Sequence, residues 1–252
     1  MRSCSRHRVT IDEVASTHAA SAGYQLRALF HTVSTMPESA ASSERTRVVR
    51  EPQRAVYDRS EIYRVLDEGF VCHVGFTSDS QTYVIPTMYA RVGDALYFHG
   101  SAASRMLRNT ANGVSVCITV TLADGLVLAR SVFNHSMNYR SVVALGVAQL
   151  VDAPPEKLEA LRAFTEKLLP GRWNDARQPN ERELKATSIL KLPLTEVSAK
   201  VRVGGVEDDA EDYALKVWAG IVPLRLVADA PIRDERCDPS LPVPPYAATF
   251  RS

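Results

Sequence analysis

The residues best suited to chemistry lie in the stretch ALYFHGSAASR, Ala95 to Arg105. A short apolar run, Leu96-Tyr97-Phe98, leads into His99-Gly100-Ser101. Small residues follow, and Ser104-Arg105 open a helical pattern. A strand that turns into a helix N-terminus leaves backbone N–H groups without partners, and the helix dipole adds partial positive charge there. Gly100 permits close backbone approach, Ser101 and Ser104 supply hydroxyls, and Arg105 supplies a planar cation. Together they suit a phosphate, so a phosphate-bearing cofactor at this turn is one expectation. A capped helix after a strand explains the same residues equally well. His99 titrates near neutrality, which suits either a phosphate contact or proton donation.

Other polar residues fall between apolar runs. The segment Asn134-His135-Ser136-Met137-Asn138-Tyr139-Arg140-Ser141 offers hydrogen bonds and a stacking face to a ligand, or forms a network at a strand start. His73 alternates with Cys72 and Val74, where a structural histidine is the commoner outcome. Lys200 and Arg202 alternate with Val201 and Val203, facing either a cleft or solvent. Trp173 and Trp218 read first as packing residues. The chain contains no Walker A, GxGxxG, GxSxG or HExxH motif. Any chemistry therefore belongs to a cofactor and not to a side-chain nucleophile.

The elements that must position these residues follow from the pattern. The 252 residues are 45% hydrophobic and 23% charged, ordinary for a globular protein. The net charge of +1 gives no support to a nucleic-acid or acidic-membrane partner. Cys4, Cys72, Cys117 and Cys237 are scattered, which predicts neither a disulfide framework nor a zinc site. No apolar run has the length of a transmembrane helix, and a cytoplasmic location is expected. Residues 1–55 hold no steady apolar period and read as a disordered or weakly ordered extension. Their Arg- and Ser-containing start makes mitochondrial import a weak alternative. Met36 offers another start, which would leave the first 35 residues dispensable.

A folded domain is expected over 56–230 and a Pro-rich tail over 231–252. Asp58 and Glu61 predict a capping box opening a helix with Ile62, Val65 and Leu66 on one face. Gly69 is expected to close that helix as a C′ glycine. Strands are expected over 70–76, 82–91, 96–99, 114–121, 126–133 and 139–151, with a helix of about ten residues, carrying Met106 and Leu107, before Gly113. Asp124-Gly125 reads as a hairpin turn. Helices are expected over 155–169, with Leu158, Leu161, Phe164 and Leu168 on one face, and from Asn180 to about Leu190. Two further strands follow, 195–203 and 217–227, separated by a solvated acidic loop, Glu207 to Asp212. The fold class is mainly β with helices (α+β): an antiparallel, six-stranded sheet closed as a small Greek-key barrel.

Five segments carry a resemblance: GFVCHVGF; YVIPTMYARVGDALYFHGSAASR; GLVLARSVFNHSMNYRSVVALGVAQLV; LPGRW; and SAKVRVGG with VWAGIVPL. In this order they resemble the pyridoxamine 5′-phosphate oxidase-like proteins with the FMN-binding split barrel, and within them the flavin-nucleotide-binding, nitroimidazole-resistance-like subgroup. The resemblance covers roughly residues 57–230. It implies a homodimer with FMN at the subunit interface and the phosphate at the turn of His99, Gly100, Ser101, Ser104 and Arg105. It further implies flavin contacts from Val84, Ile85, Pro86 and Thr87, and from Asn138, Tyr139, Arg140 and Ser141 near the partner's flavin. The expected activity is electron transfer from reduced flavin to a small acceptor, such as a nitro-aromatic, with His99 as the candidate catalytic proton donor. The alternatives are a haem-binding or haem-degrading protein, with His73, His99 or His135 as axial ligand, a non-catalytic flavin-binding module, and a deazaflavin in place of FMN.

Overall fold

The computed structural model describes residues 43–101 and 113–250, all within the unit Ser39–Ser252. Helix α1 (Arg59–Glu68) starts where Asp58 accepts from the Glu61 amide at 3.1 Å. Ile62, Val65 and Leu66 are buried at helical spacing. Two details differ from expectation. The Glu61 carboxylate pairs with Arg64 and does not return to the cap. Gly69 is extended, at φ −73° and ψ 142°, and so is no left-handed C′ residue. The end of α1 is closed from outside. Lys167, on helix α2 (Pro154–Leu168), donates to the Leu66 carbonyl at 2.6 Å and lies 4.3 Å from the centre of the Tyr89 ring. The Tyr89 hydroxyl donates to the same carbonyl at 2.6 Å. A cation at a helix C-terminus satisfies orphan carbonyls and opposes the dipole. Gly69 is needed for closeness instead: a Cβ there would stand 2.7 Å from Val120 Cγ1 and 3.0 Å from Tyr89 Oη.

The chain then forms β1 (Ala55–Val56), β2 (Val71–Ser78), β3 (Gln81–Val92), β4 (Ala95–Ser101), β5 (Ser115–Leu128), β6 (Ser136–Val147), β7 (Gln149–Leu150), β8 (Thr187–Pro193), β9 (Glu196–Arg202) and β10 (Gly220–Pro223). Among the described residues these make one open antiparallel sheet in the order β1-β9-β6-β5-β2-β3-β4-β8-β7, with β10 on β5. The expected antiparallel split-barrel architecture therefore stands, with more strands than the six expected. Asp79 and Ser80, at φ 50° and 64°, form the tight β2–β3 turn. β4 is buried on both faces. Leu96 and Phe98 join the main core with Ile118 and Leu190, while Ala95 and Tyr97 join a second cluster with Phe164 and Ile189 under α2.

Several expected boundaries move, each for a tertiary reason. Asp124-Gly125 makes no hairpin. β5 runs straight through it with a bulge, because β6 pairs on both sides, Ala123 with Tyr139 and Gly125 with Asn138. Gly125 lets β10 approach, since a Cβ there would lie 3.2 Å from the Val222 carbonyl. The helix opened by the Asn180–Glu183 capping box, α4 (Glu181–Ala186), stops early. Thr187–Pro193 becomes β8 because the edge of β4 needs a partner and Ile189, Leu190 and Leu192 are all buried. On α2 the buried residues are Ala160 and Phe164, whereas Leu158 and Leu168 are exposed. The expected strand over 217–227 shrinks to β10.

Residues 43–55, set outside the domain by composition, lie along β9. β1 pairs with it, Arg45 pairs with Glu196, and Lys200 donates to the Arg50 carbonyl at 2.8 Å. The acidic loop is not wholly solvated, because the Asp208 side chain is 0% exposed and accepts from the Arg130 and Ser131 amides. The tail carries a short helix, α5 (Pro245–Ala248), whose Tyr246 donates to Asp175 at 2.6 Å from the end of α3 (Arg172–Asp175). The expected helix bearing Met106 and Leu107 lies outside the described residues. The contacts of Gly69 set a test. Gly69→Ala should destabilise the protein by about 1–3 kcal/mol through overpacking, and equilibrium denaturation measures it.

Candidate functional site

One face of the central sheet closes the core, and the other is where a ligand can lie. Along β2, Cys72, Val74 and Phe76 point inward and are buried, while His73, Gly75 and Thr77 point outward. Pairing carries this division across the sheet. His73 stands opposite Pro86 on β3 and Thr119 on β5, Gly75 opposite Val84 and Cys117, and Thr119 opposite Val143 on β6. The outward face is thus built largely from small or uncharged residues. Arg45, His73, Gly75, Cys117, Thr119 and Gly146 line a cleft of about 500 Å³ on it. Small side chains at successive cross-strand positions leave room for a flat molecule, and His73 supplies an imidazole at its wall. Arg45 stands on the rim with its Nε donating to Glu196 at 3.2 Å.

The β3 residues expected to meet a flavin sit on this sheet. Val84 is 60% exposed, Ile85 and Pro86 are exposed, and Thr87 is half-buried. Val84 and Pro86 share the face of His73, whereas Ile85 and Thr87 lie opposite the buried Val74 and Cys72. An uncovered apolar row on a sheet marks a binding or association surface.

At the end of β4, His99 shares the face of Tyr97 and packs on Phe164 of α2, ring centres 4.4 Å apart. Burial pushes its pKa below 6.5, so the ring is neutral at pH 7. Its Nδ1 is buried and has no hydrogen-bond partner among the described residues, at the point where the chain enters Gly100 and Ser101. Nothing is described of the Ser101 side chain, and Ser104 and Arg105 lie outside the described residues. His135 is exposed, with Nδ1 2.9 Å from the Ser131 carbonyl, and does not line the cleft.

The start of β6 is a network of protein groups. Asn138 donates through Nδ2 to the Gly204 carbonyl at 3.0 Å and accepts from Arg202 Nη1 at 2.6 Å. Arg140 is clamped by Asp124, at 2.7 and 2.9 Å, and by Glu68. These carboxylates push its pKa further up, so it stays charged and occupied. Ser141 Oγ donates to the Lys200 carbonyl at 3.2 Å, and Tyr139 is half-buried opposite Arg202. Arg140 also borders a second, larger cleft of about 1130 Å³, shared with Phe70, Leu122, Leu226 and Phe250. The structure thus gathers Val84, Pro86 and His73 on one face, and places His99–Gly100 and Asn138–Ser141 at separate strand ends.

Sequence reasoning missed Arg45, which reaches the cleft from a stretch without periodicity, and the Arg130–Asp208 pair, 3.0 Å apart, that ties the acidic loop to the end of β5. No local pattern announces either, since both depend on partners far along the chain.

Comparisons with known proteins extend the geometry. Residues 58–201 match the family model described as pyridoxamine 5′-phosphate oxidase. The flavocytochrome Anf3 from Azotobacter vinelandii is 40% identical, with a TM-score of 0.79, over 84% of this chain and 98% of its own. An FAD and haem binding protein from Mycobacterium smegmatis is 33% identical, with a TM-score of 0.75, over 79% of this chain and 98% of its own. No curated protein matches the chain. With a family model spanning more than half of its length and a relative of this identity across most of it, the chain belongs to the pyridoxamine 5′-phosphate oxidase family and has its flavin-binding split-barrel fold.

Proposed function

We infer that this protein binds a flavin nucleotide and passes electrons from the reduced flavin to a small acceptor. The observation that carries the reading is 40% identity to a flavocytochrome across nearly all of that protein's length. The residues present fit such a group. His99 presents a buried Nδ1 with no partner among the described residues where β4 ends, and β3 offers an apolar, uncovered row to a planar ring. A bound flavin supplies the electron transfer. The chain's own part is to hold it: Val84 and Pro86 line the sheet face and exclude water, and the neutral His99 ring gives one hydrogen bond at the turn. FMN and FAD both satisfy this chemistry, and a relative named for FAD makes FAD as strong a candidate as FMN. A homodimer with the flavin between subunits fits the exposure of Val71, Val84 and Val147.

A second reading, haem bound beside the flavin, is favoured by His73. Of the three histidines in the described residues, His73 alone lines the 500 Å³ cleft, and a neutral imidazole is a common axial ligand of haem iron. Two relatives whose names pair flavin with haem or cytochrome support it.

The visible spectrum of the purified protein, alone and after addition of FMN, FAD or haem, tests both readings. Flavin absorbance that bleaches with a reductant, and returns on adding a nitro-aromatic or another small acceptor, is expected. A protein that takes up neither FMN nor FAD overturns the first reading. For the second, His73→Ala should abolish a Soret band and leave flavin absorbance intact, while a Soret band indifferent to this change removes His73 as the ligand. His99 gives a further check. The unfolded chain protonates it below about pH 6.5, and the folded ring resists. The unfolded state then binds more protons, so the cofactor-free protein loses stability as pH falls below 6.5. His99→Gln should flatten that part of the curve of melting temperature against pH.

A further inference from the structure

Arg202 ends β9 and is only 7% exposed, yet no carboxylate pairs with it among the described residues. The other half-buried arginines of the sheet behave differently: Arg91 meets Asp67 at 2.6 Å, Arg130 meets Asp208 at 3.0 Å, and Arg140 meets Asp124 at 2.7 Å. Arg202 has one acceptor, Asn138 Oδ1 at 2.6 Å. Asn138 is itself 8% exposed and fixed by its bond to the Gly204 carbonyl. Nε and Nη2 of Arg202 face no acceptor among the described residues.

A guanidinium held mostly out of bulk water without a counter-ion keeps an unused hydrogen-bonding edge, and Nε and Nη2 remain within reach of solvent and of a ligand. Local charge does not provide the missing anion. Lys200, on the same face of β9, adds a second cation, bound to the Arg50 carbonyl. Arg54 is already paired with Glu51, and Asp208 with Arg130. Gly204, whose carbonyl holds Asn138, stands in open space: a Cβ there would meet nothing within 4 Å.

We propose that Arg202 and Asn138 form a binding site for an oxyanion, a phosphate or carboxylate group carried by a small molecule. Asn138 holds one edge of the guanidinium, and the ligand takes the free edge through Nε and Nη2, a geometry suited to two parallel hydrogen bonds. The site does not rest on the flavin reading. The oxyanion belongs either to a nucleotide cofactor or to a separate substrate, and the two are separable by experiment.

Calorimetric and thermal-shift titrations of the full chain with inorganic pyrophosphate, FMN and FAD provide the test, with Arg202→Met and Asn138→Asp as variants. Pyrophosphate should bind and stabilise the wild type. Both variants should weaken it by roughly tenfold or more, the second because its new carboxylate occupies the guanidinium. A matching loss of FAD or FMN affinity identifies the anion as a cofactor phosphate, and unchanged flavin affinity assigns it to a substrate. Pyrophosphate binding that survives in both variants overturns the site. So does a wild type that fails to bind it.

Discussion

A strand has two faces, and in this fold β5 can bury only one of them. It is the strand most tightly hemmed in, hydrogen-bonded to β2 and β6 and, beyond its bulge, to β10. Val116, Ile118 and Val120 go inward and are at most 3% exposed. The pairing then leaves no choice for their neighbours, because a side-chain period of two sends Cys117, Thr119 and Thr121 to the other side. The register of β5 fixes what stands beside His73 on β2 and beside Val143 on β6. The cleft is therefore a consequence of core packing, set by the same alternation that closes the barrel.

The outward face stays open because its residues are small and carry few charges, and because the long elements pack elsewhere. α2 covers β4 through Phe164 and Ala160, and α1 seals the opposite end of the core with Ile62 and Leu66. The two helices are joined by Lys167, whose ammonium caps α1 where Gly69 does not. That link lets Gly69 remain extended and come close to Val120 and Tyr89. The rigidity of the sheet beneath the candidate site thus depends on a contact between residues a hundred positions apart in sequence.

Much of the fold was legible where one short window contained the whole physical cause. Asp58 and Asn180 each cap a helix whose first turn follows at once, and Ser78-Asp79-Ser80 turns where the alternation pauses. The alternation of residues 71–76 marks which side of β2 is core. Legibility failed where the cause lay elsewhere in the chain. Asp124-Gly125 has the composition of a hairpin turn, but β6 and β10 flank it and hold the strand through. Residues 187–190 continue a helical pattern, but the open edge of β4 recruits them. The strands that carry His73 and Val84 to Thr87 could be placed from the pattern. The part assembled from distant segments, Arg45 above all, could not.

The same distinction governs the charges. Lys, Arg, Asp and Glu are nearly balanced in number, 30 against 29, so composition suggests no field and no binding preference. The structure removes that neutrality locally. Arg140 draws two carboxylates, Asp124 from the bulge of β5 and Glu68 from the end of α1, and Asp208 is taken up by Arg130 through its amide and its guanidinium. Acids used in this way are unavailable to the end of β9, where Arg202 and Lys200 stand side by side on one face with carbonyl and amide oxygens as their only acceptors among the described residues. A neutral chain thereby acquires a positive edge, and the low exposure of Arg202 keeps water from screening it. Such an edge arises from how partners are allotted across the sheet, which no count of charged residues reveals.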